Sequence, residues 1–336
     1  MEKRWRQLSE AVEGCDQILI LLHDDPDPDS VASGAALRFL LSEKLGVEGQ
    51  VAYRGIIGRA ENRALVDYLG VELEQLPSEP LMPELGSKAV AVVDTQPGAG
   101  NSPLPAGYPA AIVIDHHSDL DGEGAIFRDV RPWIGASSTI MTQYLRAAGV
   151  KPPMRLATAL FYGIKTDTKA LSRDTSAADV GAYFYLLSFV DVDALVEIEN
   201  ARVPASYFRN LARAMEAAKL YDGVVVSFLD EVDYPDLTAE IADLFLRLEG
   251  VNWVICMGVY DETLYISVRA RDEAADAEEL AQEIIGDEGS AGGRNTLAGG
   301  QISLEGKDAH TIAEKLRQRI FEYLNVPQDA QGEPLI

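Results

Sequence analysis

Cysteine is nearly absent from this 336-residue chain: Cys15 and Cys256 are the only two, far apart and outside any metal-binding spacing. A disulfide framework is thereby excluded, and reduced thiols are the expected state. Long apolar runs are missing too. The longest reach about six to nine residues, against the roughly 18 needed to cross a bilayer, and the start MEKRWRQLSEAVEG has no apolar secretion signal. The sequence predicts a cytoplasmic protein without membrane contact. Positive charge is scarce: 29 lysines and arginines face 54 aspartates and glutamates, for a net charge of -25. Broad neutralisation of phosphates along duplex DNA is excluded, so any anionic partner must be met locally. Aromatics make up only 7%, and no basic patch interleaves with them.

What is present reads as globular. Hydrophobic residues make up 47% of the chain and the mean hydropathy is near zero, so sizeable cores can form, and the length suggests about two domains. The runs QILILL (17–22), AVAVVD (89–94) and AAIVID (110–115) read as fully buried strands of a parallel sheet. Helical patterns lie between and after them, among them SVASGAALRFLLSEKLG and MRLATALFYGIKTDT. The alternation predicts an α/β domain over 1–190 with helices on both faces of its sheet. A helical connection is expected over 191–215, broken near Pro204. A smaller α+β domain follows over 216–330. Its strands are VVVSFLD, WVICMGVYD and TLYISVRA, with a hairpin at Asp261 and Glu262, helices near 236–248 and 274–285, a glycine-rich loop, the strand QISLEG and a final helix over 310–324.

All three buried runs of the first domain end in acid. In an open parallel sheet, ligands bind beyond the carboxyl ends of the strands. The first run continues into HDDPDPDS with His23, Asp27 and Asp29, the second ends in Asp94, and the third in Asp115, His116 and His117. Asp167 follows in GIKTDT. Carboxylates gathered in one crevice repel and are costly to desolvate, so either they spread into solvent or cations sit among them. Asp27, Asp29, Asp94 and Asp167 carry the charge that two divalent ions would balance, and histidines add nitrogen ligands. Only four histidines exist, and three of them stand at these strand ends. His310 reads as a surface or capping residue. Ser30, Ser33 and the segment 136–139 read as helix caps, and Trp133, Phe161 and Tyr162 as core.

The motifs HDDPDPDSVAS, VVD, IDHH and GIKTD stand in the order of the DHH phosphoesterase superfamily, which the chain resembles over most of 17–170. That superfamily includes RecJ-type exonucleases, nanoRNase/pAp phosphatases, cyclic-di-AMP phosphodiesterases and family II pyrophosphatases. The second domain is similar to the DHH-associated domain of the exonuclease and nanoRNase branch, carrying ISVRA and AGGRNTLAGG where that branch has a strand arginine and a GGGH-like loop. The resemblance implies an active site in the cleft between the domains and two divalent ions, manganese by family habit. His23, Asp27 and Asp94 would hold one ion; Asp29, Asp94, His116 and Asp167 would hold the other, with Asp94 bridging. Asp115 would orient a histidine, and His117 would face the scissile phosphate. Arg269, Gly292, Gly293, Arg294 and Asn295 would bind substrate, Arg294 standing where the branch has histidine.

The expected activity is hydrolysis of short single-stranded oligonucleotides or small nucleotides by metal-activated water, as an exonuclease, oligoribonuclease or nucleotide phosphatase. Nanorna, pAp and linear or cyclic dinucleotides stay open as substrates, and a homodimer is compatible with this reading. A pyrophosphatase or exopolyphosphatase is the rival enzyme, against which the acidic second domain and the AGGR loop argue. A non-catalytic nucleotide-binding module of the same fold is the other alternative, against which the intact metal motif argues.

Overall fold

The three apolar runs lack polar alternation because each is covered on both sides. Ile18, Ile20, Leu22, Ala91, Val93, Ile112 and Ile114 enter one core, while Leu19, Leu21, Val90, Val92 and Val113 enter another. The structure, a computed structural model, describes residues 1–77, 89–120, 124–272 and 274–336. Two units divide the chain, Met1–Ala201 and Arg202–Ile336. The segment expected as a connection, 191–215, is split between them, because its two helices lie on either side of the boundary.

In the first unit, α1 (Glu2–Ala11) precedes β1 (Gln17–Leu21), α2 (Pro28–Leu45), β2 (Glu48–Tyr53), α3 (Ala60–Leu69), β3 (Leu73–Gln75), β4 (Ala89–Val93), β5 (Ile112–Asp115) and β6 (Phe127–Val130). Helices α4 (Ser137–Ala147), α5 (Met154–Asp167), α6 (Ala177–Leu187) and α7 (Val192–Glu199) complete it. The sheet is parallel throughout, in the order β3-β2-β1-β4-β5-β6. Its order reverses between β1 and β4, and the crevice of such a sheet opens at that point, beyond the strand ends. Apolar patterning marks only the inner strands β1, β4 and β5; β2 and β6 carry polar residues such as Gln50, Arg128 and Asp129. Helices line one face of the sheet. Among the described residues the apolar cover of the other face comes from irregular segments around Leu76, Leu104, Tyr108 and Ala110, which corrects the expectation of helices on both faces.

The second unit holds α8 (Ala205–Ala217), β7 (Lys219–Tyr221), β8 (Val224–Glu231), α9 (Leu237–Phe245), β9 (Trp253–Tyr260), β10 (Thr263–Ala270), α10 (Ala277–Ile285), β11 (Ser290–Arg294), β12 (Leu297–Ser303), α11 (Ala309–Tyr323) and β13 (Glu333–Pro334). Its mixed sheet runs β11-β12-β10-β9-β8-β7-β13. α10 and α11 cover one face, α8 and α9 the other. The glycine-rich stretch is not a loop but the hairpin β11–β12, turned at Asn295, whose φ of 52° suits the left-handed position of a tight turn. Gly293 is required there: a Cβ would lie 2.4 Å from the Leu297 carbonyl oxygen.

Candidate metal centre

Helix geometry sets the spacing in HDDPDPDS. Asp27 is the N-cap of α2, where its carboxylate accepts from the Ser30 amide at 2.9 Å, and Pro28 takes the first helical position, which needs no amide donor. Asp29 then sits inside the first turn, fully buried. His23 leaves the end of β1. Asp94 follows β4 in the left-handed region, with φ of 63°, a conformation that aspartate tolerates better than most residues with a side chain. Its amide donates to the Ile114 carbonyl at 2.9 Å. His116 follows β5, and Asp167 is the last residue of α5.

These residues converge. His23 Nε2 lies 3.7 Å from Asp27 Oδ1 and 3.6 Å from Asp94 Oδ2; His116 Nε2 lies 3.4 Å from Asp94 Oδ1 and 3.3 Å from Asp167 Oδ2. Asp94 therefore turns one oxygen to each histidine. Donor atoms of His23, Asp27 and Asp94 all lie within 4.8 Å of one another, as do those of Asp29, His116 and Asp167, and those of Asp94, His116 and His117. Neighbouring ligands on an octahedral ion with bonds of about 2.1 Å stand about 3 Å apart, so small inward movements would close each set. The histidines fit as well. Nδ1 of His23 donates to the Asp24 carbonyl at 2.6 Å, Nδ1 of His116 to the Ile134 carbonyl at 3.2 Å, and Nδ1 of His117 to Asp115 Oδ1 at 2.8 Å. Each neutral ring thus carries its lone pair on Nε2, the form in which imidazole binds metal.

Electrostatics agree with the geometry. Burial, then the charges of Asp29, Asp27, Asp167 and Asp115, push the Asp94 carboxyl well above the usual range. Burial and the neighbouring Asp27 push Asp29 up to about 7, although the amides of Ser137 and Ser138 oppose the shift. Burial would lower His23, but Asp27, the Asp24 carbonyl and Asp25 together outweigh it and hold the ring up at about 9. Among the described residues no lysine or arginine pairs with Asp27, Asp29 or Asp94. Protons or cations have to balance this charge, and the donor set fits a divalent cation.

Supporting contacts lie far away in sequence. Asp29 Oδ2 and Oδ1 accept from the amides of Ser137 at 2.6 Å and Ser138 at 2.8 Å, so a carboxylate more than 100 residues upstream caps α4. The segment 136–139 supplies no cap of its own, contrary to expectation. Instead Ser137 Oγ donates to Asp94 Oδ1 at 2.8 Å. Gly163 of α5 allows this packing, since a Cβ there would stand 2.5 Å from Ser138 Oγ and 3.0 Å from Asp29 Cα. Asp24 and Asp25 stay outside the ligand sets: Asp24 holds Arg54 through both oxygens, and Asp25 Oδ1 accepts from the Ile56 amide at 2.7 Å. Ser137 stood in the sequence as a helix cap, and nothing in its neighbours signalled a contact with Asp94.

Trp133 is 65% exposed, whereas Phe161 and Tyr162 are buried as expected. It occupies a turn closed by the Ile134 amide on the Arg131 carbonyl at 3.0 Å. That turn is braced from below: the Arg131 amide donates to the Asp115 carbonyl at 2.9 Å, its guanidinium grips the buried Asp129, and the Ile134 carbonyl holds His116.

Arg269 and the hairpin residues come together in the second unit. Arg269 pairs with Leu297 across β10–β12, and Leu297 with Arg294 across β12–β11. The Arg269 guanidinium is largely buried; its Nε donates to Asp243 Oδ1 at 2.9 Å, and one terminal nitrogen to the carbonyls of Val268 at 3.0 Å and Ala298 at 3.2 Å. Gly292 and Gly293 are exposed in β11 and Asn295 in the turn; the Arg294 side chain lies outside what the structure describes.

Residues 17–164 match the family model described as DHH family, N-terminal domain. An uncharacterized protein of Methanocaldococcus jannaschii is 34% identical over 93% of this chain and 65% of its own length. Cyclic-di-AMP phosphodiesterase GdpP of Geobacillus thermodenitrificans is 27% identical over 96% of this chain and 51% of its own. The chain thus spans about half to two thirds of the length of these relatives. Among solved structures, an exopolyphosphatase-related protein from Bacteroides fragilis shares the fold with a TM-score of 0.75, at 16% identity, over 96% of this chain and 97% of that one.

Proposed function

We propose that this chain is a divalent-metal-dependent phosphoesterase whose substrates are short oligonucleotides or small nucleotides. The observation that carries the reading is the division of Asp94 between two histidine-carboxylate sets, one oxygen turned to His23 and the other to His116. His23, Asp27 and Asp94 would hold one ion, and Asp29, Asp94, His116 and Asp167 the other. Mixed carboxylate and imidazole ligation is compatible with manganese. When bound, the ions supply a nucleophile at neutral pH and polarise the phosphate oxygens. His117, oriented by Asp115, would face the phosphate, and Arg269 with the β11–β12 hairpin is assigned to substrate binding.

Two features favour a base-bearing substrate over inorganic polyphosphate. One is the similarity to an enzyme named for a cyclic dinucleotide. The other is Trp133, an exposed indole on a braced turn whose next residue holds His116; aromatic faces presented rigidly are what bases stack on. A panel with manganese tests the proposal: pAp, short RNA, linear and cyclic dinucleotides, pyrophosphate and polyphosphate. Release of mononucleotide or phosphate from the nucleotides is the expected result. Turnover of pyrophosphate or polyphosphate alone would overturn the substrate class, and no turnover of any member would overturn the enzyme.

A further inference from the structure

Asp115 divides its carboxylate as Asp94 does. Oδ1 accepts from the His116 amide at 2.8 Å and from His117 Nδ1 at 2.8 Å, while Oδ2 accepts from Gln96 Nε2 at 2.6 Å. Gln96 lies two residues beyond Asp94 and is itself buried. Its Nε2 also reaches the Ser118 carbonyl at 2.9 Å, and its Oε1 accepts from the Leu120 amide at 3.1 Å and from Arg128 at 2.7 Å. The amide cannot be reversed without setting its NH2 against two donors, so its orientation is determined. Arg128 is tied in turn to Asp119. A continuous chain therefore runs Arg128, Gln96, Asp115, His117, and it also closes the loop that carries both histidines.

His117 needs this chain. Its side chain is about half exposed, and its other ring contact is the tilted stack on His116 at 4.4 Å. The Asp115 bond is what selects the tautomer with Nδ1 protonated and Nε2 bearing the lone pair. Without Gln96, Oδ2 would be left buried with that bond unmade, which favours turning the carboxylate toward another donor and away from His117.

We propose that Gln96 is a positioning residue for His117: anchored by Arg128, it locks the Asp115 carboxylate and through it the ring orientation and tautomer of His117 at the candidate metal centre. The catalytic consequence rests on the phosphoesterase reading; the tautomer does not. Gln96→Met preserves length and removes both hydrogen-bonding ends. Nitrogen-15 spectra of the histidine-labelled, magnesium-loaded protein report the tautomer directly, and four histidines keep them sparse. Wild type should show His117 protonated at Nδ1, and Gln96→Met a mixture of tautomers. With manganese and a linear dinucleotide, kcat should fall about 10-fold or more while KM and manganese affinity stay within about twofold. Should Gln96→Met fail to fold, Arg128→Met leaves Gln96 in place but unanchored and should shift both readouts the same way, by less. An unchanged tautomer, or a loss of kcat matched by equal losses of manganese affinity and thermal stability, would overturn the proposal. If the wild type hydrolyses nothing, the functional reading fails while the spectra still decide the role of Gln96.

Discussion

Ser137 offers a clean perturbation, because its backbone and side chain serve different ligands. The amide binds Asp29 and survives in Ser137→Ala, whereas the hydroxyl bond to Asp94 Oδ1 is lost. A buried hydrogen bond to a charged group contributes about 1.5–3 kcal/mol. At about 1.4 kcal/mol per factor of ten, that predicts on the order of 10- to 150-fold weaker binding of manganese, overlapping the roughly 10- to 100-fold loss typical when an outer contact of a metal ligand is removed. Calorimetric titration of metal-free protein would measure the loss. Ser30→Ala is the matched comparison: its hydroxyl is buried with no hydrogen-bond partner among the described residues, and its amide on Asp27 is unaffected, so affinity should stay within about twofold. Equal losses in the two variants, or none in Ser137→Ala, would refute the claim that this hydroxyl steadies a ligand shared by two ions.

Manganese binding should release protons. With Asp29 held up at about 7, Asp94 higher than usual and His23 near 9, the metal-free centre keeps protons that an ion must displace, so affinity rises with pH between about 6 and 9. For the same reason, groups raised above their unfolded values favour the folded metal-free protein at low pH: the Asp29 contribution is lost from about pH 4 to 7 and that of His23 from about pH 6.5 to 9. Thermal melts with and without a chelator across this range would show it, and a metal-free Tm that rises over this window would contradict it. Gly163→Ala should cost about 1–3 kcal/mol, read by denaturant titration, and weaken manganese binding, since the new methyl meets Ser138 and Asp29; unchanged values would show that the helices separate freely. Trp133→Ala should raise KM for a dinucleotide by about 5-fold or more while leaving metal affinity and stability unchanged, as expected of an exposed stacking face, and Trp133→Phe should restore most of it.

The sequence by itself determined the α/β class, the buried inner strands and the identity of the converging side chains, because these depend on local pattern. A strand buried on both faces must be apolar throughout, and HDDPDPDS is spaced by the N-terminus of one helix, with Asp27 capping and Asp29 inside. Polar strands such as β6 escaped that reading, as did the hairpin hidden in a glycine-rich stretch whose glycines serve close strand packing. Only the tertiary structure decided what surrounds the ligands. The left-handed turn at Asp94, the cap that Asp29 places on α4, the Ser137 hydroxyl and the Gln96 chain to His117 join residues 19 to more than 100 positions apart. Their pairing follows from how strands and helices pack, a choice that no single stretch of the sequence contains.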